Sequence, residues 1–223
     1  LKITCVIPCH NEESTVESVV EGCRKYCGEI FLIDDGSTDE TASRAAKAGA
    51  HVVKHAVRLG AGSALSTGFE IALRSGADII VTLDGDGQHS PDDVPRVVKP
   101  ILDGAADFVV GSRFLENAGS TPIHKKIGNK LLSSATSLVC GRRITDSQSG
   151  FRAYTRNALK WVIHEAKDYA WASETLILAA RRGFRVTEVP IRSIYLSNRQ
   201  RGAGVSDGPK ILYETLKRRP ADK

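Results

Sequence analysis

Short apolar runs alternate with amphipathic stretches along the first half of the chain. Leu1–Pro8 reads as a strand, Ile30–Ile33 as a second, His51–Val53 as a short third, Ile79–Val81 as a fourth and Asp107–Gly111 as a fifth. Near-continuous apolar runs of this length suit parallel strands buried on both faces. Between them lie helical patterns. One runs from a cap at Ser14 or a neighbour to about Tyr26, with Val16, Val19, Val20 and Cys23 on one stripe. A second starts from a cap at Thr38 or Asp39 and continues through Ala48, and a third covers Ser63–Ser75 after Gly60-Ala61-Gly62. Ser90-Pro91-Asp92-Asp93 opens a fourth that reaches Leu102, with proline in its first turn. The alternation predicts an α/β fold, a mainly parallel central sheet with helices on both faces.

Past Ser112-Arg113 the pattern changes. Ile127–Val139 and Trp171–Arg182 read as helices, and Arg185–Val189 and Ile191–Tyr195 as strands. The final Pro209–Arg219 sets Ile211, Leu212, Tyr213 and Leu216 against Lys210, Lys217, Arg218 and Arg219. Such a helix packs on its own domain, lies in a lipid interface, or does both. The pattern divides the chain into one domain over 1–205, in halves 1–113 and 114–205, and a basic amphipathic segment over 206–223.

Polar clusters close three of the strands: Asn11-Glu12, Asp34-Asp35, and Asp84-Gly85-Asp86. Right-handed crossovers bring such strand ends to one edge of a parallel sheet, where open α/β sheets bind ligands. In an extended chain residues i and i+2 face the same way, so Asp84 and Asp86 converge, with Gly85 easing the turn. Like charges so close repel unless a cation intervenes, and Gln88 adds a neutral oxygen for a hard, oxygen-ligated ion. The bland reading is a polar turn, since Asp and Gly are ordinary turn formers.

Composition narrows the class. With 223 residues, 41% hydrophobic and 26% charged, the chain buries a real core. No window approaches a bilayer-spanning run, and Leu1–Pro8 is strand-like rather than a signal peptide. Cys5, Cys9, Cys23, Cys27 and Cys140 form no zinc-like pair and read as reduced cytosolic thiols. A net charge of +5 and pI near 9.0 point to anionic partners. Aromatic residues are not interleaved with the basic ones, which argues against nucleic acid. No GxxxxGK[ST] string occurs, which disfavours a phosphate-binding-loop kinase or ATPase.

Six stretches, in this order, resemble the family 2 inverting glycosyltransferases of the GT-A fold, and within them the dolichyl- or polyprenyl-phosphate hexosyltransferases: Val6–Glu12, Ile33–Asp39, Gly60–Gly68, Leu83–His89, Val110–Arg113 and Asp146–Arg152. The resemblance implies a GT-A catalytic domain whose first half takes a nucleotide sugar and whose second half takes the acceptor. It implies that Pro8, His10, Glu12, Ile33 and Asp35 line the base and ribose pocket. Asp84, Gly85, Asp86, Arg199 and Arg201 would then meet the rest of the donor. Asp84, Asp86 and Gln88 would hold Mg²⁺ or Mn²⁺. Arg113, Lys126 and Arg152 would contact an acceptor phosphate, since arginine's planar fork matches phosphate oxygens. Asp86, Arg113 and Asp146 are the expected catalytic set, with Asp146 orienting the acceptor or locking Arg152.

The implied reaction moves mannose or glucose from GDP-mannose or UDP-glucose to a dolichyl or polyprenyl phosphate. It would run on the cytosolic face of a membrane, reached through the basic surface or a membrane-anchored partner subunit. A phosphate monoester is largely a dianion at neutral pH, its second pKa near ~6, so such an acceptor needs positioning more than deprotonation. Rival readings are transfer to a saccharide hydroxyl, with Asp146 or Glu174 as base, and a sugar nucleotidyltransferase. Two departures stand out: Ala61 in the Gly60 loop, where relatives often carry lysine, and the lack of a Ser-Lys pair after Arg199–Gly204.

Overall fold

The computed structural model describes residues 1–115, 123–163, 171–194 and Tyr213, with side chains of 123–126 excepted. Strands are β1 (Ile3–Cys9), β2 (Glu29–Asp34), β3 (His51–Lys54), β4 (Ile79–Thr82), β5 (Phe108–Ser112), β6 (Arg152–Thr155) and β7 (Val186–Pro190). Helices are α1 (Val16–Arg24), α2 (Thr41–Lys47), α3 (Ala61–Arg74), α4 (Val94–Leu102), α5 (Ile123–Cys140), α6 (Arg156–Ile163) and α7 (Trp171–Arg181). A 3₁₀ turn, Pro91–Asp93, leads into α4. The strands form one sheet in the order β3-β2-β1-β4-β6-β5-β7. All neighbours are parallel except β6, which runs antiparallel to both β4 and β5.

The sheet is buried on both faces, which is why its strands read as unbroken apolar runs. Along β1, Cys5, Ile7 and Cys9 join the core under α1 and α4, while Val6 joins the opposite core under α3. The predicted α1 stripe of Val16, Val19, Val20 and Cys23 is the buried one. Asp39 rather than Thr38 serves the start of α2: its carboxylate accepts the Thr41 N–H at 3.0 Å and the Glu13 N–H at 3.2 Å.

The chain lays down β1, β2 and β3 in one direction, then places β4 on the other side of β1. The crevice between the carboxyl ends of β1 and β4 is therefore the topological switch point, the expected ligand edge of an open α/β sheet. β6 was not anticipated. It is short and ends a polar stretch, so it gives no clear alternating pattern, yet its insertion between β4 and β5 joins both parts of the chain into one sheet. Of the expected strand Ile191–Tyr195, the described part contributes an isolated bridge between Ser193 and His89. Tyr195 and the segment 206–223, Tyr213 excepted, lie outside the described residues.

Gly68 sets how closely α3 rides on β1, since an added Cβ would run into Val6 Cγ1 and press on Ile33. Gly68→Ala should therefore cost about 1–3 kcal/mol through overpacking, read as a lower urea midpoint with an unchanged m-value.

Candidate functional site

The site is built where β1 and β4 release their chains. Gly85 lies so close to β1 that a Cβ there would collide with Cys9 Sγ, and its carbonyl accepts the Thr15 hydroxyl at 2.8 Å. Only glycine fits. Behind Asp84 stands Gly150, where a Cβ would fall onto the Asp84 carboxylate. The two glycines seat the Asp84–Asp86 loop between the β1 end and the loop leading into β6. Gly87 completes the turn with φ of 74°, and Asp86 accepts both the Gln88 N–H (3.0 Å) and the Gln88 side-chain amide (2.6 Å).

This loop is acidic and half shielded from water. Burial and the Asp86 carboxylate push Asp84 up to about 7, against the pull of Arg113 and Arg152. The Asp84 side chain nonetheless keeps 43% of its surface exposed. His89 lies beneath, 4% exposed, with Nε2 3.8 Å from Asp84, too far for a hydrogen bond. Burial and Arg113 push its imidazole down to about 3, so it is neutral at physiological pH and does not offset the carboxylates. Among the described residues, its Nδ1 has no hydrogen-bond partner.

Opposite the acidic loop, Arg113 follows β5. Its Nε and Nη2 donate to the two oxygens of Asp146 at 2.7 and 2.8 Å, and its backbone N–H adds a third bond at 3.1 Å. Asp146 is fully buried and also accepts the Asn129 amide at 2.8 Å. Burial alone would raise its pKa, but Arg113 and Asn129 hold it below the ordinary carboxylate range. Asn129 is steadied by Ser133 (2.8 Å), which also accepts the Ser147 N–H (2.9 Å). From β7, Glu188 accepts the Thr145 and Asp146 N–H groups at 2.8–3.0 Å. Asn129, Ser133 and Glu188 escaped the sequence reading because nothing local marks a polar residue on an inward helix or strand face.

Several expected site residues take other roles. Asp146 pairs with Arg113, not Arg152. Arg152 is fully buried and donates to Ser149, Ser147 and Ala172 carbonyls and to Thr175, between the rings of Phe108 and Trp171. It is an internal strut and does not reach an acceptor phosphate. Ile33 is fully buried under α3 beside Val6 and Leu65, so it supports the pocket floor rather than lining it. Asp35 accepts the Leu59 and Gly60 N–H groups at 2.8 and 2.7 Å and lies 2.8 Å from His55 Nδ1. Burial would raise it, but these contacts hold it low, and both oxygens serve the loop before α3.

Pro8 pairs with Ile33 across β1 and β2, and His10 Nδ1 lies 2.9 Å from the Asp35 carbonyl. Glu12 is buried, its N–H bonded to Thr41 Oγ1 at 2.7 Å. Lys126 belongs to α5, but its side chain lies outside the described residues, as do Arg199 and Arg201.

Two carboxylates thus stand at the switch point of the sheet, faced by an arginine clamped in place, in a fold of the GT-A glycosyltransferase class. Residues 4–162 match the glycosyl transferase family 2 model, and the chain belongs to that family. It is 38% identical to the UDP-N-acetylglucosamine–dolichyl-phosphate N-acetylglucosaminyltransferase of Methanococcus voltae, across 96% of this chain and 94% of that protein. It is 31% identical to the undecaprenyl-phosphate mannosyltransferase of Micrococcus luteus, across 86% and 83%. Glucosyl-3-phosphoglycerate synthase of Mycobacterium tuberculosis, crystallised with Mg²⁺ and UDP, shares the fold with a TM-score of 0.75 at 22% identity, over 100% of this chain and 80% of that one.

Asp146→Asn should destabilise the protein by about 3 kcal/mol at neutral pH, because it leaves Arg113 without its buried counter-charge. A carboxylate held low contributes stability that is present above its unfolded pKa and lost as pH falls through the folded one. The gap between variant and wild type should hold from pH 5 to 8, begin to narrow near pH ~4 and close only below the lowered pKa of the folded state, measured by urea denaturation across pH.

Proposed function

We propose that this glycosyltransferase moves a sugar from a nucleotide diphosphosugar to a polyprenyl phosphate at the cytosolic face of a membrane, with a divalent cation bound by Asp84 and Asp86. The observation that carries the reading is the pairing of opposites in one recess: an acidic loop with raised affinity for protons, and an arginine fixed by two-point contact to a buried aspartate. The near full-length likeness to enzymes named for dolichyl- and undecaprenyl-phosphate acceptors supports the same acceptor here.

The residues fit a cation. Asp84 and Asp86 lie close enough to repel each other, and burial first, then the Asp86 charge, raises the Asp84 pKa. Among the described residues no group of three His, Cys, Asp or Glu converges, so a hard ion would take these carboxylates, the Gln88 amide, diphosphate oxygens and water. When bound, it supplies Lewis-acid stabilisation of the departing nucleoside diphosphate. The chain's own contribution is positional. Gly85 and Gly150 seat the carboxylates, and the β1–β4 crevice orients the nucleotide. Arg113, its fork held by Asp146, guides the acceptor phosphate.

Asp146 suits that role better than the role of base. It is fully buried, saturated by Arg113 and Asn129, and held in its ionised form, so it does not meet an incoming hydroxyl. A phosphate acceptor, already ionised near pH 7, needs no base. This favours the lipid phosphate over a saccharide hydroxyl. The transferred sugar is mannose, glucose or N-acetylglucosamine, the three named for relatives and fold neighbours. No helix among the described residues is long and apolar enough to cross a membrane.

Asp86→Ala should abolish transfer to polyprenyl phosphate, at least about a thousandfold, while the melting temperature stays within a few degrees. It should also remove the Mn²⁺-dependent thermal shift given by UDP or GDP. Full turnover in this variant rules out the cation assignment. Arg113→Ala should raise KM for the prenyl phosphate more than KM for the nucleotide sugar; the reverse order places Arg113 on the donor. Assays with UDP-N-acetylglucosamine, UDP-glucose and GDP-mannose in parallel identify the sugar.

A further inference from the structure

Helix α5 exposes large aliphatic side chains and buries several polar ones. Its inner face carries Asn129, Ser133 and Thr136 beside Ala135 and Val139, all buried, and Asn129 and Ser133 hold the Asp146 loop. Its outer face carries Ile127, Leu131 and Leu138, exposed at 66%, 58% and 61%. Separations of four and seven residues place these three on one stripe, the reverse of an ordinary surface helix. Lys130 is exposed beside the stripe, and Arg142 and Arg143 are exposed just beyond the helix end. From Ile123 to Arg143 the sequence has no Asp or Glu, while carrying Lys125, Lys126, Lys130, Arg142 and Arg143.

An exposed aliphatic stripe in a segment whose charged residues are all cations has the chemistry of a helix lying in an anionic lipid interface. We infer that the outer face of α5 seats the enzyme on an anionic phospholipid surface. Ile127, Leu131 and Leu138 enter the acyl boundary, and Lys130, Arg142 and Arg143 meet lipid phosphates. Other occupants fit worse. A second copy would set this cationic strip against itself, and the chain's own Pro209–Arg219 segment is also cationic.

The location matches the chemistry. The inner face of the same helix grips Asp146, which grips Arg113. The lipid-facing surface is thus about one helix diameter, roughly 10 Å, from that network. The link to the acceptor phosphate rests on the function proposed above; the docking surface does not.

The test is co-sedimentation of the full chain with phosphatidylcholine vesicles, with and without phosphatidylglycerol, and free of any prenyl phosphate. The wild type should bind the anionic vesicles. L131E/L138E should lower the partition coefficient by about tenfold or more, with oligomeric mass unchanged by light scattering. R142E/R143E should weaken binding to anionic vesicles alone, and it carries the test if the leucine variant does not fold. Binding by both variants equal to wild type overturns the proposal. So does loss of binding in L212E/L216E with L131E/L138E unaffected, or a change of mass in L131E/L138E with vesicle binding intact. Transfer to a water-soluble short-chain prenyl phosphate is assayed in parallel. A wild type that docks but transfers to no prenyl phosphate removes the acceptor reading and leaves the docking surface standing.

Discussion

The two-point contact between Arg113 and Asp146 is the interaction on which the second half of the molecule depends. Asp146 is fully buried, and a buried carboxylate persists in its charged form only where a cation and hydrogen-bond donors surround it. Those donors come from separate places: the end of β5 through Arg113, α5 through Asn129, while Glu188 on β7 secures the turn that carries the aspartate. Each element is held to the others through one charged group. Placing the arginine fork in a fixed plane is the chemical product of that constraint.

Across the recess the charge is of opposite sign. Asp84 and Asp86 are forced together by a chain path that only glycine at 85 and 150 permits. His89, with its imidazole 3.8 Å from Asp84, is held neutral by burial and by Arg113. Arg152 offsets part of this negative charge but is tied to three backbone carbonyls and the Thr175 hydroxyl. The fold thus keeps an anionic loop next to a cationic clamp, a division suited to a donor whose charge needs a cation and an acceptor whose charge needs an arginine.

Much of this architecture shows in local patterns. The strand–helix alternation through β5, the α1 stripe and the Asp84–Asp86 pair are properties of short windows, because burial on both sheet faces leaves long apolar runs and helical burial leaves a period of 3.6. The antiparallel β6 left no such mark. Its four residues include a buried arginine and a half-buried threonine, and a window rule reads them as polar. Asp35 was legible as a carboxylate at a strand end, but not as the anchor of the Leu59–Gly60 backbone, since that contact spans more than twenty residues.

The order of polar and apolar residues was sufficient to determine the α/β fold class and to bring Asp84 and Asp86 together at the end of β4, both of which follow from spacing along the chain. Which charge meets which was settled only by the assembled sheet. Arg113 and Arg152 are indistinguishable in a sequence, yet one ends β5 at the mouth of the recess and the other begins β6 beneath Trp171. Side chains far apart in the chain compete for the same few buried partners, and the winner is decided by distances that exist only after the strands have paired.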